Sequence, residues 1–347
     1  MEILSPERYH EYEKFITSHP TGSLTQSVLW HGVKSNWNHG VVVSRDESGD
    51  IIGGMSVLIQ KVPFFGVTML YSPRGPVCDY HNLEVLADLK KGADELAKRH
   101  NAYTFKVDPD ILIADEEFPD VMKAMGFTNF RGGDGFETIQ PRFNSRLYFE
   151  DRSEEDILMS FTQGARRNVR IAQKHGVEIK VVDGEYLDEF VRLMQITGAR
   201  DGFTVRSKSY FAGLLKSLGE HARLYMAFHD GKALAGAITT VYAGKAAYLY
   251  GASDNESRNL MPTYLIQWEM IRRAAEMGCT VYDFQGVSGN FSEENNPLYG
   301  LYRFKKGFGT RVDELVGEYD YFYKPKTAKL IDIAIDAHEK LRKLKKR

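Results

Sequence analysis

Lys305 lies in the stretch LYRFKKGFG. A cation fixed in a cleft stabilises negative charge that develops in a reaction, and that is chemistry a lysine here could do. Beside Lys306 and Gly307 it also reads as an ordinary surface lysine. Asp108, in KVDP, lies just past a buried strand. It could take a proton or orient an attacking amine, although an aspartate before a proline is commonly a turn residue. Arg166, Arg170 and Lys174 recur at four-residue spacing, which puts them on one side of a helix. There they would meet RNA phosphates or form a solvated face. The chain closes on Lys340, Arg342, Lys343, Lys345, Lys346 and Arg347, a basic tail able to touch RNA or an anionic membrane surface.

Several other chemistries are not encoded. The ten histidines show neither HxxxH nor HExxH spacing, and the two cysteines, Cys78 and Cys279, are far apart, so no metal is expected. A net charge of −2 argues against a protein that coats nucleic acid by bulk electrostatics, while leaving room for a local basic patch. No run of about 18 apolar residues occurs and the first residues do not form a signal peptide, so a cytoplasmic chain is expected.

The elements that must position these residues appear twice. IIGGMSVLIQKV and VTMLYSPRGPV read as strands, EVLADLKKGADELAKRH as an amphipathic helix and AYTFKVDP as a buried strand. The same order returns as ALAGAITTVYAG, AAYLYGAS, PTYLIQWEMIRRAAEMG and TVYDFQGV. Pro262 falls in a first helical turn, where it is tolerated. An antiparallel start followed by a helix and a strand beside it fits an N-acetyltransferase-like (GNAT-like) core. The expected fold is mixed α/β, two such domains in tandem facing across a cleft. The first would span 1–147, completed by 318–347, and the second 148–317. Between the halves SEEDILMSFTQGARRNVRIAQKHG reads as one long helix, with Ser153 as N-cap and Gly176 as C-cap. YLDEFVRLMQITGARDG is a second helix, VGEYDYFYKP a strand, and the segment from Thr327 a final helix.

Acetyltransferases of this core bind pyrophosphate with an R/Q-x-x-G-x-G/A loop whose glycines let backbone N–H groups approach the phosphates. The corresponding stretch here is Arg258-Asn259-Leu260-Met261-Pro262-Thr263. Met261 and Thr263 stand where glycine is wanted and Pro262 removes a donor. The first half's equivalent, around His81, Asn82 and Leu83, is no better. Acetyl-coenzyme A is therefore not the expected donor.

An ordered set of segments resembles the Fem family of non-ribosomal peptidyltransferases. LTQSVLWHGVKSNW is similar to that family's T-Q-x-x-x-W-x-x-x-K segment, and YSPRGPV to its R/K-G-P-V turn. TIQPRFNSRLYF, ARRNVRIAQKHGVEI, TVRSKSY, AAYLYGAS, PTYLIQWEMI, YDFQGV and LYRFKKGFG follow in family order, so the likeness covers nearly the whole chain. It is greatest to the short members, which act on a UDP-linked muramyl pentapeptide. Larger members insert a coiled-coil arm, whereas here only YFAGLLKSLGEH separates Arg206 from the next strand.

The resemblance implies an aminoacyltransferase. An amine of a precursor stem peptide, on UDP-MurNAc-pentapeptide or lipid II, would attack the ester of an aminoacyl-tRNA, with no cofactor. It places the family's catalytic lysine at Lys305, with Phe304 beside it. Lys34 and Arg206 would hold the two phosphates of a UDP group, Arg bidentately and Lys as a compact charge. Trp37 would pack on the nucleotide or sugar. Thr204, Arg206 and Tyr210 match the family's T-x-R-x-x-x-Y substrate segment and Tyr250 its later tyrosine, although any one tyrosine of 19 is more often a core residue. Two other readings stand beside this one: an acetyl-coenzyme A enzyme with an altered motif, and a muramyl-nucleotide or tRNA-binding module without turnover. A monomer is expected.

Overall fold

The structure, a computed structural model, describes residues 1–292 and 296–344, with nothing drawn from the side chains of 339 and 341–344. The basic tail residues Lys345, Lys346 and Arg347 lie outside the described residues. Two compact units form: Met1–Gly132 with Leu315–Arg347, and Gly133–Glu314.

In chain order the first unit contains β1 (Glu2–Leu4), α1 (Tyr9–Ser18), α2 (Leu29–Val33), β2 (Asn38–Arg45), β3 (Ile51–Val62), β4 (Val67–Ser72), β5 (Val77–Cys78), α3 (Leu83–His100), β6 (Ala102–Val107), α4 (Glu117–Ala124) and β7 (Thr128–Phe130). The second contains β8 (Phe143–Tyr148), α5 (Glu154–Ser160), α6 (Gln163–Lys174), β9 (Glu178–Val182), α7 (Leu187–Asp201), α8 (Lys208–Leu218), β10 (Ala222–His229), β11 (Lys232–Tyr242), β12 (Lys245–Ser253), α9 (Pro262–Glu276), β13 (Val281–Gly286), α10 (Tyr299–Lys306) and β14 (Arg311–Glu314). The chain then returns to the first unit with β15 (Glu318–Phe322) and α11 (Pro325–Leu344).

The sequence repeat is a repeat of topology. In the first unit β3 and β4 pair antiparallel, α3 follows, and β6 lies parallel to β4. In the second, β11 and β12 pair antiparallel, α9 follows, and β13 lies parallel to β12. Each helix buries its apolar stripe on its own sheet. Leu86, Leu89, Ala93 and Leu96 of α3 join Val42, Leu70 and Phe105 in one core. Leu265, Met270 and Ile271 of α9 join Leu147, Tyr282 and Phe308 in the other.

Two expectations shift. The boundary drawn at 147 falls at Gly132/Gly133, because β8 pairs with β13 and β14 and so belongs to the second sheet. The single helix from Ser153 to Gly176 is two helices. Ser153 is the expected N-cap and forms a capping box with Asp156 on α5, but Phe161 and Thr162 leave the helix and the Thr162 hydroxyl accepts from Ala165 N, capping a new helix. Thr162 N donates to Gly307 O at 2.9 Å, so the break ties α6 to the end of α10. No coiled-coil arm is present among the described residues; α7, α8 and β10 follow one another directly.

Candidate active site

In the second unit β12 and β13 are in register only from Lys245↔Val281 to Ala247↔Asp283. At the ends of these strands opens a cavity of about 1570 Å³. Its walls are the start of α6 (Thr162, Gly164, Ala165), Tyr248 and Gly251 of β12, Arg258, Asn259 and Met261 before α9, Pro262 and Thr263 of its first turn, Gln285 and Gly286 of β13, and Arg303 to Lys305 of α10.

Lys305 is only 4% exposed. Its ammonium donates to Gly286 O at 2.7 Å and to Gln285 O at 3.3 Å. Burial pushes its pKa down to about 8, against the pull of the Asp283 carboxylate, which raises it. Two of three ammonium protons are thus directed to carbonyls and one remains for a ligand in the cavity. Phe304 packs edge-on against Tyr264 and Phe308 at 5.2 Å each, fixing the helix that carries Lys305.

A group of residues that the sequence did not single out makes this grip possible. β13 carries a bulge: Asp283 opposes Arg146 and Gly286 opposes Asn144, so two residues on β13 face one on β8. Gln285 takes φ 64°, which a side chain rarely adopts. Asp283 Oδ1 accepts from Gln285 N at 2.6 Å, and Arg146 Nε donates to Asp283 Oδ2 at 3.0 Å. Arg146 is itself 9% exposed; its Nη1 reaches Asp313 Oδ2 at 3.4 Å, and Tyr148 OH donates to the same oxygen at 2.5 Å. This buried pair and its neighbours hold the buckle that aims two carbonyls at Lys305. The only sequence signal was an aspartate inside the apolar strand YDFQG.

Arg206, Tyr210 and Tyr250 form a second cluster. Arg206 is exposed over the Tyr210 ring at 5.3 Å, and the Tyr210 and Tyr250 hydroxyls are 3.0 Å apart. Burial, and then the Tyr210 hydroxyl, pushes the Tyr250 phenol up. Thr204 is exposed on the loop between α7 and α8. None of these four lines the cavity among its described residues.

In the first unit Lys34 closes α2 and places its ammonium 5.7 Å from the Trp37 ring, both half-buried. Asp108 is 2% exposed at the end of β6. Its Oδ2 accepts from Tyr71 OH and its Oδ1 from Arg74 N, each at 2.6 Å. Burial raises its pKa to about 6 despite the Arg74 charge, which lowers it. The carboxylate therefore anchors the turn of Arg74 (φ 56°) and the cis Gly75–Pro76 bond. Of the α6 cations, Arg166 is half-buried and donates to Met159 O at 2.8 Å and to Phe161 O, closing α5, whereas Arg170 and Lys174 are exposed.

Comparison with known proteins adds four findings. The model of the FemAB family matches residues 8–233 and 228–335. The chain is 31% identical over 396 aligned residues to a protein named lipid II:glycine glycyltransferase from Staphylococcus aureus, covering 93% of each. That alignment is longer than the 347 residues here, so the relative carries insertions. Among solved structures, one titled as the crystal structure of FemX matches with a TM-score of 0.90 and 30% identity over 95% of this chain and 100% of that one. A tandem GNAT protein from the clavulanic acid pathway matches with a TM-score of 0.55 and 13% identity over 92% of this chain and 97% of its own, a likeness of fold.

Proposed function

The chain belongs to the FemAB family, and on that premise we infer that it is an aminoacyltransferase of peptidoglycan synthesis. It moves an amino acid from aminoacyl-tRNA to the stem-peptide amine of a peptidoglycan precursor and so builds the interpeptide bridge. The observation that carries this reading is Lys305, a buried cation in a cavity wall with one donor left for a ligand. The amine nitrogen forms a bond to the ester carbonyl carbon, the bond from that carbon to the ribose oxygen breaks, and the amine proton ends on the departing hydroxyl. Lys305 receives the oxyanion formed between those steps. Holding ester and amine together supplies much of the remaining rate.

The cavity suits the end of a charged tRNA. Arg258 and Arg303 offer phosphate contacts and Tyr248 and Tyr264 offer faces for a base. Exposed Arg170 and Lys174 would meet phosphates further along the RNA. Arg206, with Thr204, Tyr210 and Tyr250 around it, offers one phosphate contact in the second unit, and Lys34, with Trp37 beside it, offers another in the first. Asp108 accepts the amine proton or holds the loop that binds the acceptor. The name of the S. aureus relative supports a precursor acceptor, lipid II or its UDP-linked counterpart. No cofactor is needed, since the ester is already activated. The enzyme acts as a monomer in the cytoplasm, where its donor is made.

Purified protein mixed with UDP-linked muramyl pentapeptide, then with lipid II, and a charged tRNA pool tests this. The precursor gains the mass of an amino-acid residue, and RNase abolishes the gain. With charging verified, no gain on either acceptor overturns the reading.

A further inference from the structure

The C-terminal sequence carries a charge unlike that of the rest of the chain. Residues 325–347 hold eight Lys and Arg against three Asp and Glu, while the whole chain has a net charge of −2. α11 lies on the first unit through Ala328 and Ile331, both buried. Leu330 (59% exposed), Ile333 (65%), Ala334 and Ala337 are exposed and recur at three- and four-residue spacing, an apolar stripe on a different side of the helix. Lys326 and Lys340 extend that stripe at either end and Lys329 flanks it, all exposed, whereas Asp332 and Asp336 fall outside it.

A second apolar feature lies beside the start of α11. The β3–β4 turn presents Phe64 fully exposed, next to exposed Pro63. Asn101 ties the two together: its side-chain amide donates to Gly66 O at 2.8 Å in that turn, and Lys324, one residue before α11, donates to Asn101 O at 3.5 Å. An aromatic tip and a lysine-edged apolar stripe thus neighbour each other.

We propose that α11 and the Phe64 turn form a docking face for an anionic lipid bilayer. Lysines would meet the headgroups and Leu330, Ile333 and Phe64 the acyl boundary, with the helix lying in the interface plane. No described helix is long and apolar enough to cross a membrane, so the contact is peripheral. An RNA partner would account for the lysines but not for the exposed Leu330, Ile333 and Phe64. The proposal deepens the transferase reading, on which its consequence rests: docking brings the enzyme to acceptors held in the membrane.

The test is co-pelleting with vesicles of equal parts phosphatidylglycerol and phosphatidylcholine, and of phosphatidylcholine alone. The wild type pellets with the first and is released by salt. Each of Lys326→Glu and Lys329→Glu weakens binding by about fivefold or more. The triple variant Phe64→Ser, Leu330→Ser, Ile333→Ser stays in the supernatant with an unchanged circular dichroism spectrum. It keeps full transfer to the UDP-linked acceptor and loses transfer to lipid II in vesicles. Failure of the wild type to pellet with anionic vesicles, or equal pelleting of the triple variant, overturns the proposal. So does loss of tRNA retention on a filter by the lysine variants with vesicle binding intact, which would make α11 an RNA contact. If vesicle binding behaves as stated but neither acceptor gains mass, the transferase reading fails and the docking face stands.

Discussion

Lys305 Nζ sits 2.7 Å from Gly286 O, a contact that exists because β13 is buckled one residue earlier at Gln285. A lysine placed this way is costly to the fold, since burial penalises its charge, and valuable only where that charge has a task.

Lys305→Met separates the two. Transfer falls by roughly 10²–10³-fold, the usual effect of removing one oxyanion donor. Stability near pH 7 stays within about 1 kcal/mol of wild type, because relief of the buried charge offsets the loss of a donor to the Gly286 and Gln285 carbonyls. Thermal unfolding and single-turnover transfer check both. A fall in both would make Lys305 structural.

The pH profile follows from the same group. Its folded pKa of about 8 lies below the 10.5 of an ordinary lysine. Between these values the unfolded chain binds the extra proton and the native one does not, so Lys305's contribution to stability rises with pH across that window. Activity runs the other way: kcat falls as pH rises through about 8, where the oxyanion partner loses its charge. A flat profile from pH 7 to 9.5, with chemistry rate-limiting, contradicts this.

Asp283→Asn tests the buckle. The amide retains an acceptor for Gln285 N but loses the charge that Arg146 holds and that pulls the Lys305 pKa up. The alkaline limb moves to lower pH and kcat drops more than KM changes. Gln285→Gly is tolerated, relieving a positive φ that costs a side chain about 1 kcal/mol.

Asp108→Asn destabilises the first unit by about 1–3 kcal/mol. Two donors, Tyr71 OH and Arg74 N, each take one carboxylate oxygen, and the amide offers only one acceptor. The wild-type carboxyl has a folded pKa of about 6, above the ordinary 3.8, so its contribution to stability falls as pH rises through that window. Denaturant midpoints from pH 4 to 7 in both proteins measure this.

Arg206→Ala raises KM for the acceptor and leaves the melting temperature unchanged, because the side chain is exposed. Arg206→Lys does not restore it if the phosphate contact is bidentate.

The repeated strand–strand–helix–strand order was legible because its apolar positions alternate in strands and recur every three to four residues in helices, a local signal. The break at Thr162 was not: Ser153 and Gly176 mark the two ends convincingly, and the Thr162 cap on Ala165 N acts together with a distant partner, the Gly307 carbonyl, that takes up Thr162 N. Lys305 was legible as a candidate, but its burial was not, because Lys306 beside it is exposed and the pair reads as surface. Arg146, Asp283 and Asp313 come from three separate strands and meet only in the folded sheet, which no local pattern announces.

The first unit's sheet has β15 between β6 and β7. Asn129 of β7 donates to Val316 O, 187 residues downstream, and Lys106 of β6 pairs with Glu318 and Asp320 of β15 at 2.7 Å each. The second unit is one uninterrupted stretch of chain. At synthesis rates of about 5–20 residues per second, β6 and β7 wait roughly 10–40 s for the strand that joins them, and the second unit can complete its own sheet in that time. The half of the protein made first is thus finished last.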